Sequence, residues 1–314
     1  MMRKSNHNFK FSFGRIFFVV SIGLLLYIVL PKLGRIEKTL LLVKSANLIF
    51  IFIALIGSFL NYAMAAFALR GIVKERLSYW AFLASNFAAT FVSGIAPQAI
   101  GGVFFMERFL EKNKVKKATA ITVLAINSFA GGFVHFVLAV IVLVFVTKTG
   151  IHLSSIIRKP PKWVLYLVLS LLVVLLVLFF VRLRKGLDFI KKSFESFKLL
   201  EKEPKRIGRL LLGCFGVTFF DIFALAFSLW AFKASIPLLQ VAAVYLVGAA
   251  IGAASPTPGG LGAVEAALVA GLLAFGLPVE EAVPGVLIYR LLTFWLPILA
   301  GVFTFRSLKR QDLV

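Results

Sequence analysis

The sequence predicts an all-α integral membrane protein with about six full transmembrane helices and two re-entrant helical hairpins, arranged as inverted repeats. Three observations lead to this fold class. The chain is 61% hydrophobic and 15% charged, with a mean hydropathy of +0.98, whereas soluble domains are about half apolar and about a quarter charged. Its apolar residues form runs of bilayer-spanning length. Two of these runs are interrupted by Pro and Gly at matching positions of the two halves.

Full spans are predicted wherever an apolar run approaches the roughly 20 residues that a helix needs to cross a bilayer. Six runs qualify: residues 16–30, 46–69, 118–146, 163–181, 210–232 and 286–305. A basic segment precedes the first run, but no small-residue cleavage signature follows it. We therefore interpret that run as a retained helix rather than a removed signal peptide.

Two further apolar stretches, 77–110 and 238–275, are broken near their middle by the sequences SGIAPQAIGG and AASPTPGGLG. Pro removes a backbone donor, and Gly destabilises a helix interior. Within a bilayer such a break is tolerated only where the freed backbone is buried in protein or lines a wet cavity. Each stretch is therefore predicted to be a re-entrant hairpin of two half-helices.

The distribution of Lys and Arg tests this topology. If the amino terminus is inside and both hairpins return to their own side, the inside segments carry 25 Lys and Arg and the outside segments 9. Making the first hairpin a full span would move the ten basic residues of 182–209 outside and reverse the asymmetry. The positive-inside rule therefore favours the hairpins, with both termini cytoplasmic and the protein in the cell membrane.

The basic segment 182–209 is the largest piece between predicted spans. Apolar residues recur in it at helical spacing: Leu187, Ile190, Phe194 and Phe197. This pattern fits a helix lying in the cytoplasmic interface against anionic lipid. A solvated linker that carries the inside positive charge fits the sequence as well.

The two hairpins align at an offset of 158 residues, close to half the chain length. The offset aligns three pairs of residues: Gly101 with Gly259, Gly102 with Gly260, and Glu107 with Glu265. The flanking helices also align, and three full spans per half is an odd number, so the second half must be inverted. We therefore predict repeats 1–157 and 158–314, an arrangement typical of transporters.

The second break is the most specific motif in the sequence, PTPGGLGAVEAAL. Its prolines and glycines are Pro256, Pro258, Gly259, Gly260 and Gly262. Proline suits the first turn of a helix, and glycine allows a partner to approach the backbone closely. A helix that begins here directs N–H groups and the positive end of its dipole at the loop, which predicts a phosphate or carboxylate site. Close packing of the two half-helices is the alternative explanation of the glycines.

Ionisable side chains within apolar runs are energetically costly and are therefore candidates for function. Arg290 is the strongest candidate because its neighbours are apolar or aromatic, and it would bind a fixed carboxylate or a lipid phosphate. Asp221 is the first choice of carboxylate partner and Glu265 the second. Glu107 and Arg108 lie on the returning arm of the first hairpin, either in a site or at the cytoplasmic interface.

Other classes of function find no support in the sequence. The net charge of +22 comes from short segments between apolar runs, which argues against nucleic-acid binding. No nucleotide-binding loop, CxxC, HExxH or GxSxG motif is present, and three scattered His cannot make a convincing metal site. We interpret His135 as a helix-packing residue and Cys214 as a core residue. We predict no cofactor, no metal and no enzymatic activity.

The PTPGGLGAVEAAL segment, the small-residue helix before it and the YR-containing helix after it resemble the flippase-like membrane family that includes the transmembrane region of lysylphosphatidylglycerol synthases. The first hairpin, from Pro97 through Gly101 and Gly102 to Leu110, is similar to the family's first-half pattern, and the similarity covers most of the chain. Many members carry an Arg on the following helix, where this chain has Asn127. The synthases also have a soluble aminoacyl-transfer domain, so we do not expect synthase activity here.

The resemblance implies a translocase that moves an anionic or polar-headed lipid, or an isoprenoid-linked lipid, between leaflets. In this interpretation the hairpin tips and Arg290 hold the headgroup while the acyl tails stay in the bilayer. Two alternatives remain. One is a non-catalytic accessory membrane subunit that works with a lipid synthase or glycosyltransferase, and the other is a transporter of a small anionic solute.

Overall fold

The structure is a computed structural model that describes residues 46–73, 75, 77–95, 98–148, 203–255 and 257–314. Within these ranges the regular secondary structure is entirely helical. Two of the predicted spans, 16–30 and 163–181, lie outside the described residues, as does most of the predicted interfacial segment 182–209.

Nine α-helices make up the described chain. They are α1 (Leu48–Ile72), α2 (Tyr79–Ile95), α3 (Gln98–Lys112), α4 (Lys117–Lys148), α5 (Pro204–Trp230), α6 (Leu238–Ala254), α7 (Ala263–Ala274), α8 (Val279–Arg290) and α9 (Leu296–Arg310). A π-helical turn, Leu291–Trp295, joins α8 and α9 into one continuous helix, and we call it the π-turn.

Four helices of the described chain are long and apolar enough to cross a membrane: α1, α4, α5 and the continuous α8–α9 helix. They coincide with the predicted spans 46–69, 118–146, 210–232 and 286–305. The prediction of membrane-length helices is therefore confirmed for these four segments.

The two interrupted stretches each form a pair of short helices, α2–α3 and α6–α7, as predicted. Phe82, near the start of α2, contacts Phe109, near the end of α3, with ring centroids 5.9 Å apart. The helix α3 therefore runs back along α2. The entry of either hairpin into one face of a membrane stays a prediction.

Small residues let the arms of the second hairpin run closely antiparallel. A Cβ added at Gly248 would lie 2.7 Å from Leu268 Cδ2, and one at Gly252 would lie 2.5 Å from Val264 Cγ2. Positions later in α6 thus face positions earlier in α7. Close approach at small residues is the usual means of association between helices in lipid, where helices gain little from hydrophobic burial.

The most extensive contact between helices of the described chain is that between α1 and α5. A Cβ at Gly213 would lie 2.6 Å from Ala68 Cβ, and one at Gly57 would lie 3.0 Å from Phe223 Cδ1. The two backbones are therefore close along much of their length. This packing gives a rigid support to the polar side chains that α1 and α5 direct at the remaining helices.

At one end of the bundle several helices begin or end close to Lys and Arg residues, and we call this end the basic pole. Lys112 Nζ lies 2.8 Å from Asp312 Oδ1, which joins the end of α3 to the segment after α9. A Cβ at Gly71, at the end of α1, would lie 2.9 Å from Arg209 Cβ at the start of α5. Leu69 and Leu110 belong to the same apolar cluster, so all these ends share this basic pole.

The opposite pole holds the start of α1 and the end of α5, where the Asn47 amide donates to the Ala231 carbonyl at 2.9 Å. Ala234 and Leu277 share a second apolar cluster, which places the starts of α6 and α8 at this pole as well. The helix ends that the charge pattern assigned to one side thus lie at one pole, and which pole faces the cytoplasm stays a prediction.

The order of elements is the same in the two halves of the described chain. A long helix, two short helices and a long helix occur as α1–α4 and again as α5 to α9. The inversion of the second set relative to the first, and the division of the chain between residues 157 and 158, stay predictions.

Candidate functional site

Arg290 is positioned by the π-turn that follows it directly. A π-turn breaks the regular hydrogen-bond pattern of a helix, and such turns are frequent at functional sites. Side chains of α1 bind its carbonyls: the Ser58 hydroxyl donates to Leu292 at 2.8 Å, and the Tyr62 hydroxyl donates to Thr293 at 3.3 Å. The helix α1 therefore fixes the rotation of the helix that carries Arg290.

The loop between α6 and α7 has a backbone conformation that glycine alone adopts readily. Gly259, Gly260 and Gly262 have φ angles of +59°, +67° and +81°, in the region that L side chains avoid. A Cβ on Gly259 would also collide with the ring of Phe294 on the π-turn. Glycine at 259 is therefore required both by its own conformation and by the approach of the π-turn.

Arg290 is buried, with 8% of its surface exposed, and its guanidinium is bound on two edges. Nε donates to Glu265 Oε1 at 2.6 Å, and Nη2 donates to the Gly259 carbonyl at 2.9 Å. Cζ lies 4.4 Å from the centroid of the Phe294 ring, within cation–π range. These contacts use part of the donor capacity of the guanidinium. Arg290 is thereby held in one orientation while it still lines a cavity.

Glu265 connects Arg290 to the start of α7. Its Oε1 accepts from Arg290, and its Oε2 accepts a 2.8 Å hydrogen bond from the amide of Gly262, the N-cap residue. A carboxylate in the first helical turn is also stabilised by the helix dipole. One of the amides predicted to face an anion is thus bound by the protein's own carboxylate. The guanidinium becomes the main group that can receive an external anion.

Asp221 is bound by Tyr245, whose hydroxyl donates to Asp221 Oδ2 at 2.8 Å. The sequence-based preference for Asp221 as the ion-pair partner of Arg290 is therefore wrong, and the second choice, Glu265, is the partner. The reason is local: Gly259 packs against the π-turn, and this contact brings the first turn of α7 directly beside Arg290.

These side chains surround a cavity of about 410 Å³ whose walls come from both halves of the described chain. Its polar lining residues are Asn61, Tyr62, Thr90, Ser93, Asp221, Tyr245, Tyr289, Arg290 and Thr293. Small-molecule sites have volumes of roughly 300–1,000 Å³. The cavity is therefore large enough for a small polar ligand.

The predicted residues of the second half meet at this cavity. Gly259, Asp221 and Arg290 line it, and Glu265 binds Arg290. The remaining residues of the motif belong to the same loop: Pro258, Gly260 and Gly262. Pro256 lies outside the described residues.

The predicted residues of the first hairpin do not line the cavity. Gly101 is buried, and a Cβ at Gly102 would lie 2.7 Å from Ser93 Oγ, so this glycine packs α3 against α2. Glu107 Oε1 lies 3.5 Å from Lys117 Nζ, and Arg108 is exposed. Because α3 runs from the break towards the basic pole, its last two turns carry Glu107 and Arg108 away from the cavity.

Three tyrosines at the cavity, Tyr62, Tyr245 and Tyr289, are absent from the residues predicted from sequence. All three are buried. A tyrosine hydroxyl inside a membrane bundle needs a hydrogen-bond partner. The run AAVYLVGAA around Tyr245, in which a single tyrosine stands among small apolar residues, carries that signal.

His135 of α4 has the packing role predicted for it, since its Nε2 lies 2.9 Å from the Leu246 carbonyl on α6. Within the described part of the chain, no three His, Cys, Asp or Glu side chains are grouped so that they could hold a metal ion.

Comparison with known proteins defines the class to which this fold and site belong. The family described as the lysylphosphatidylglycerol synthase TM region matches residues 15–301. The chain belongs to this family, and the relation predicted from the hairpin motifs is confirmed.

A UPF0104 membrane protein of Pyrococcus horikoshii, PH1989, is 23% identical over 326 residues. The alignment covers 93% of this chain and 97% of the relative. The family match and the apolar helices identify the chain as a multi-pass membrane protein.

Proposed function

We propose that the protein is a flippase-like translocase that moves an anionic or polar-headed lipid, or an isoprenoid-linked lipid, between leaflets. One observation carries the proposal: a buried, oriented arginine faces a polar cavity among helices whose outer surfaces are apolar. Such a cavity shields a headgroup from hydrocarbon, while the tails remain outside among the lipids.

The state of Arg290 supports a phosphate-bearing headgroup. Its guanidinium is already oriented by Glu265 and the Gly259 carbonyl, so binding need not order a flexible side chain. Arginine donors match the oxygens of phosphate in a forked geometry that lysine cannot reproduce. The relation of the family to a lipid synthase agrees with a lipid ligand.

The proposal includes a topology. Both hairpins are re-entrant, the two halves are inverted repeats, and the basic pole with both termini faces the cytoplasm at the cell membrane. The contact of Phe82 with Phe109 and the gathering of basic helix ends support this arrangement.

Cysteines placed at Lys112 and Glu280 in a Cys214→Ala background should be labelled from opposite sides of the membrane. Labelling of both from the same side would contradict the topology.

The test of function is lipid exchange in proteoliposomes that contain a headgroup-intact phosphatidylglycerol with a fluorescent acyl chain. A membrane-impermeant quencher bleaches the outer leaflet, and probe carried outwards is bleached as it arrives. We expect the wild-type protein to raise the exchange rate at least about tenfold over Arg290→Gln. Arg310→Gln, which removes an exposed arginine at the basic pole, is the matched control and should exchange at the wild-type rate.

Other outcomes would favour the alternative functions. Equal exchange by wild type and Arg290→Gln would remove the cavity from the mechanism. Uptake of a labelled water-soluble phosphate ester without lipid exchange would identify a transporter of small anions. The absence of both activities, together with copurification of a lipid synthase or glycosyltransferase, would identify an accessory subunit.

A further inference from the structure

Among the described residues, Asp221 and Arg290 line the cavity, and Glu265, the ion-pair partner of Arg290, adds a second carboxylate to the site. Arg290 and Glu265 form an ion pair at 2.6 Å and neutralise each other. Asp221 lines the same cavity, and no described Lys or Arg lies within ion-pair distance of it. An uncompensated carboxylate among membrane helices is energetically costly. The cavity therefore favours the arrival of a positive charge at Asp221.

The side-chain hydrogen-bond partners of Asp221 are Tyr245 on α6 and Asn61 on α1, and neither carries a charge. Oδ2 accepts the hydrogen bond from the Tyr245 hydroxyl on α6. The neighbouring charged or titratable groups are Tyr62 on α1 and Tyr289 and Arg290 on α8. On α4, the ring of His135 is 6.3 Å from that of Tyr245, with Nε2 directed at the Leu246 carbonyl. Arg290 alone of these described groups is a permanent cation, and Glu265 already binds it.

An anion bound beside Arg290 makes the imbalance larger. The phosphate adds negative charge to a site that already holds two carboxylates, and like charges repel strongly away from water. Both oxygens of Glu265 accept hydrogen bonds, from the Gly262 amide and from Arg290, and these bonds favour its charged form. Asp221 can respond, because its partners are neutral and a proton from solvent in the cavity can add to its carboxylate while Oδ2 keeps its bond to Tyr245.

We propose that Asp221 is the proton-binding group of the cavity, and that it takes up one proton when a phosphate headgroup binds beside Arg290. The inference rests on the proposed function for the identity of the anion. It adds that lipid and proton occupy the cavity together, so that a proton gradient can bias the direction of lipid movement.

The test measures binding and proton uptake together, apart from transport. The purified protein in detergent is titrated by calorimetry with short-chain phosphatidylglycerol, in two buffers of different ionisation enthalpy, between pH 6 and pH 8. We expect up to one proton taken up per lipid. By linkage, the dissociation constant should rise by up to about tenfold per pH unit as pH increases.

Two variants separate a proton-binding role from a structural one. Asp221→Asn mimics the protonated form, so it should bind at least as tightly as wild type at low pH, with no proton uptake and no pH dependence. Tyr245→Phe removes a donor that stabilises the charged carboxylate. Its pH profile should therefore shift to higher pH with proton uptake retained. Asp312→Asn, an exposed carboxylate at the basic pole, is the control and should match wild type.

The outcomes distinguish this inference from the proposed function. Binding to wild type without proton uptake overturns the inference and leaves the headgroup site intact. Proton uptake that persists in Asp221→Asn assigns the proton to another group and also overturns it. No binding of phosphatidylglycerol at any pH overturns this inference and excludes phosphatidylglycerol as the lipid of the proposed function.

Discussion

The two helical hairpins share one plan but contribute differently to the cavity. The second hairpin, α6–α7, supplies the Tyr245 hydroxyl, the Gly259 carbonyl that binds Arg290, and the Glu265 carboxylate. Among the described side chains of the first, α2–α3, those at the cavity are the hydroxyl groups of Thr90 and Ser93. The carboxylate at the corresponding position of the first hairpin, Glu107, pairs with Lys117 instead.

The first hairpin is instead closely packed against α9. A Cβ at Gly94 would lie 2.8 Å from Ile298 Cδ1, and the rings of Phe91 and Phe305 are 5.8 Å apart. Gly301 lies directly against the backbone of Phe87. The first hairpin therefore packs against α9, whereas the second holds the guanidinium of Arg290 through Glu265 and Gly259. Two hairpins with the same order of helices thus contribute different groups to the site.

The largest expected difference between the hairpins concerns their aligned carboxylates. Glu265→Gln leaves the buried guanidinium of Arg290 without its counter-ion, and breaking a buried pair in this way costs roughly 3–5 kcal/mol. Glu107→Gln removes a longer contact to an exposed lysine, which is worth at most about 1 kcal/mol. The measurement is the free energy of unfolding in detergent, and equal losses for the two variants would erase the contrast between the hairpins.

The double variant Glu265→Gln with Arg290→Gln sharpens this result. It removes both charges, so it should be less destabilised than the sum of the single variants, with a coupling of about 0.5–3 kcal/mol in a mutant cycle. Additive losses would mean that the two side chains stabilise the fold independently.

The next largest effect is expected at the tip of the second hairpin. Gly259→Ala places a side chain in left-handed backbone and against the Phe294 ring. Gly276→Ala introduces the same kind of strain at φ +83°, with no atom within 4 Å of the new Cβ. Such backbone strain costs about 1–3 kcal/mol, so Gly259→Ala should lose clearly more stability than Gly276→Ala. If thermal melts show equal losses, the approach of Phe294 does not depend on glycine.

Much of the fold could be predicted from sequence because the bilayer constrains the pattern of apolar and polar residues along the chain. The length of apolar runs gave the four described membrane-length helices, and Pro and Gly in the middle of such runs gave the two hairpins. The candidate site was predicted less well. Arg290 and Glu265 stand out as charges among apolar residues, but their pairing depends on the approach of the α6–α7 loop to the π-turn. Tyr62 reaches the same turn from α1, a contact that no local pattern specifies.

A smaller effect is expected where the first hairpin reaches the cavity. Ser93→Ala removes a hydroxyl from the lining without charging or enlarging the site. A single hydrogen bond is worth about 0.5–1.5 kcal/mol, so headgroup affinity should fall about two- to tenfold while the melting temperature stays unchanged. A loss of exchange as complete as that of Arg290→Gln would show that the first hairpin takes a larger part in binding than its lining hydroxyl groups indicate.

The smallest effect is expected at the basic pole, where the first hairpin ends in the ion pair of Lys112 with Asp312. The hydrogen bond from Lys112, together with its charge, holds the pKa of Asp312 below its ordinary value. A carboxylate with a lowered pKa in the folded state adds stability above its unfolded pKa of about 4 and loses it as pH falls through the folded value. The pair is exposed to water, which screens it, so Asp312→Asn should leave the melting temperature at pH 7 within error of wild type. A loss as large as that of Glu265→Gln would mean that an ion pair stabilises the first hairpin as strongly as the second, and the contrast between the two hairpins would fail.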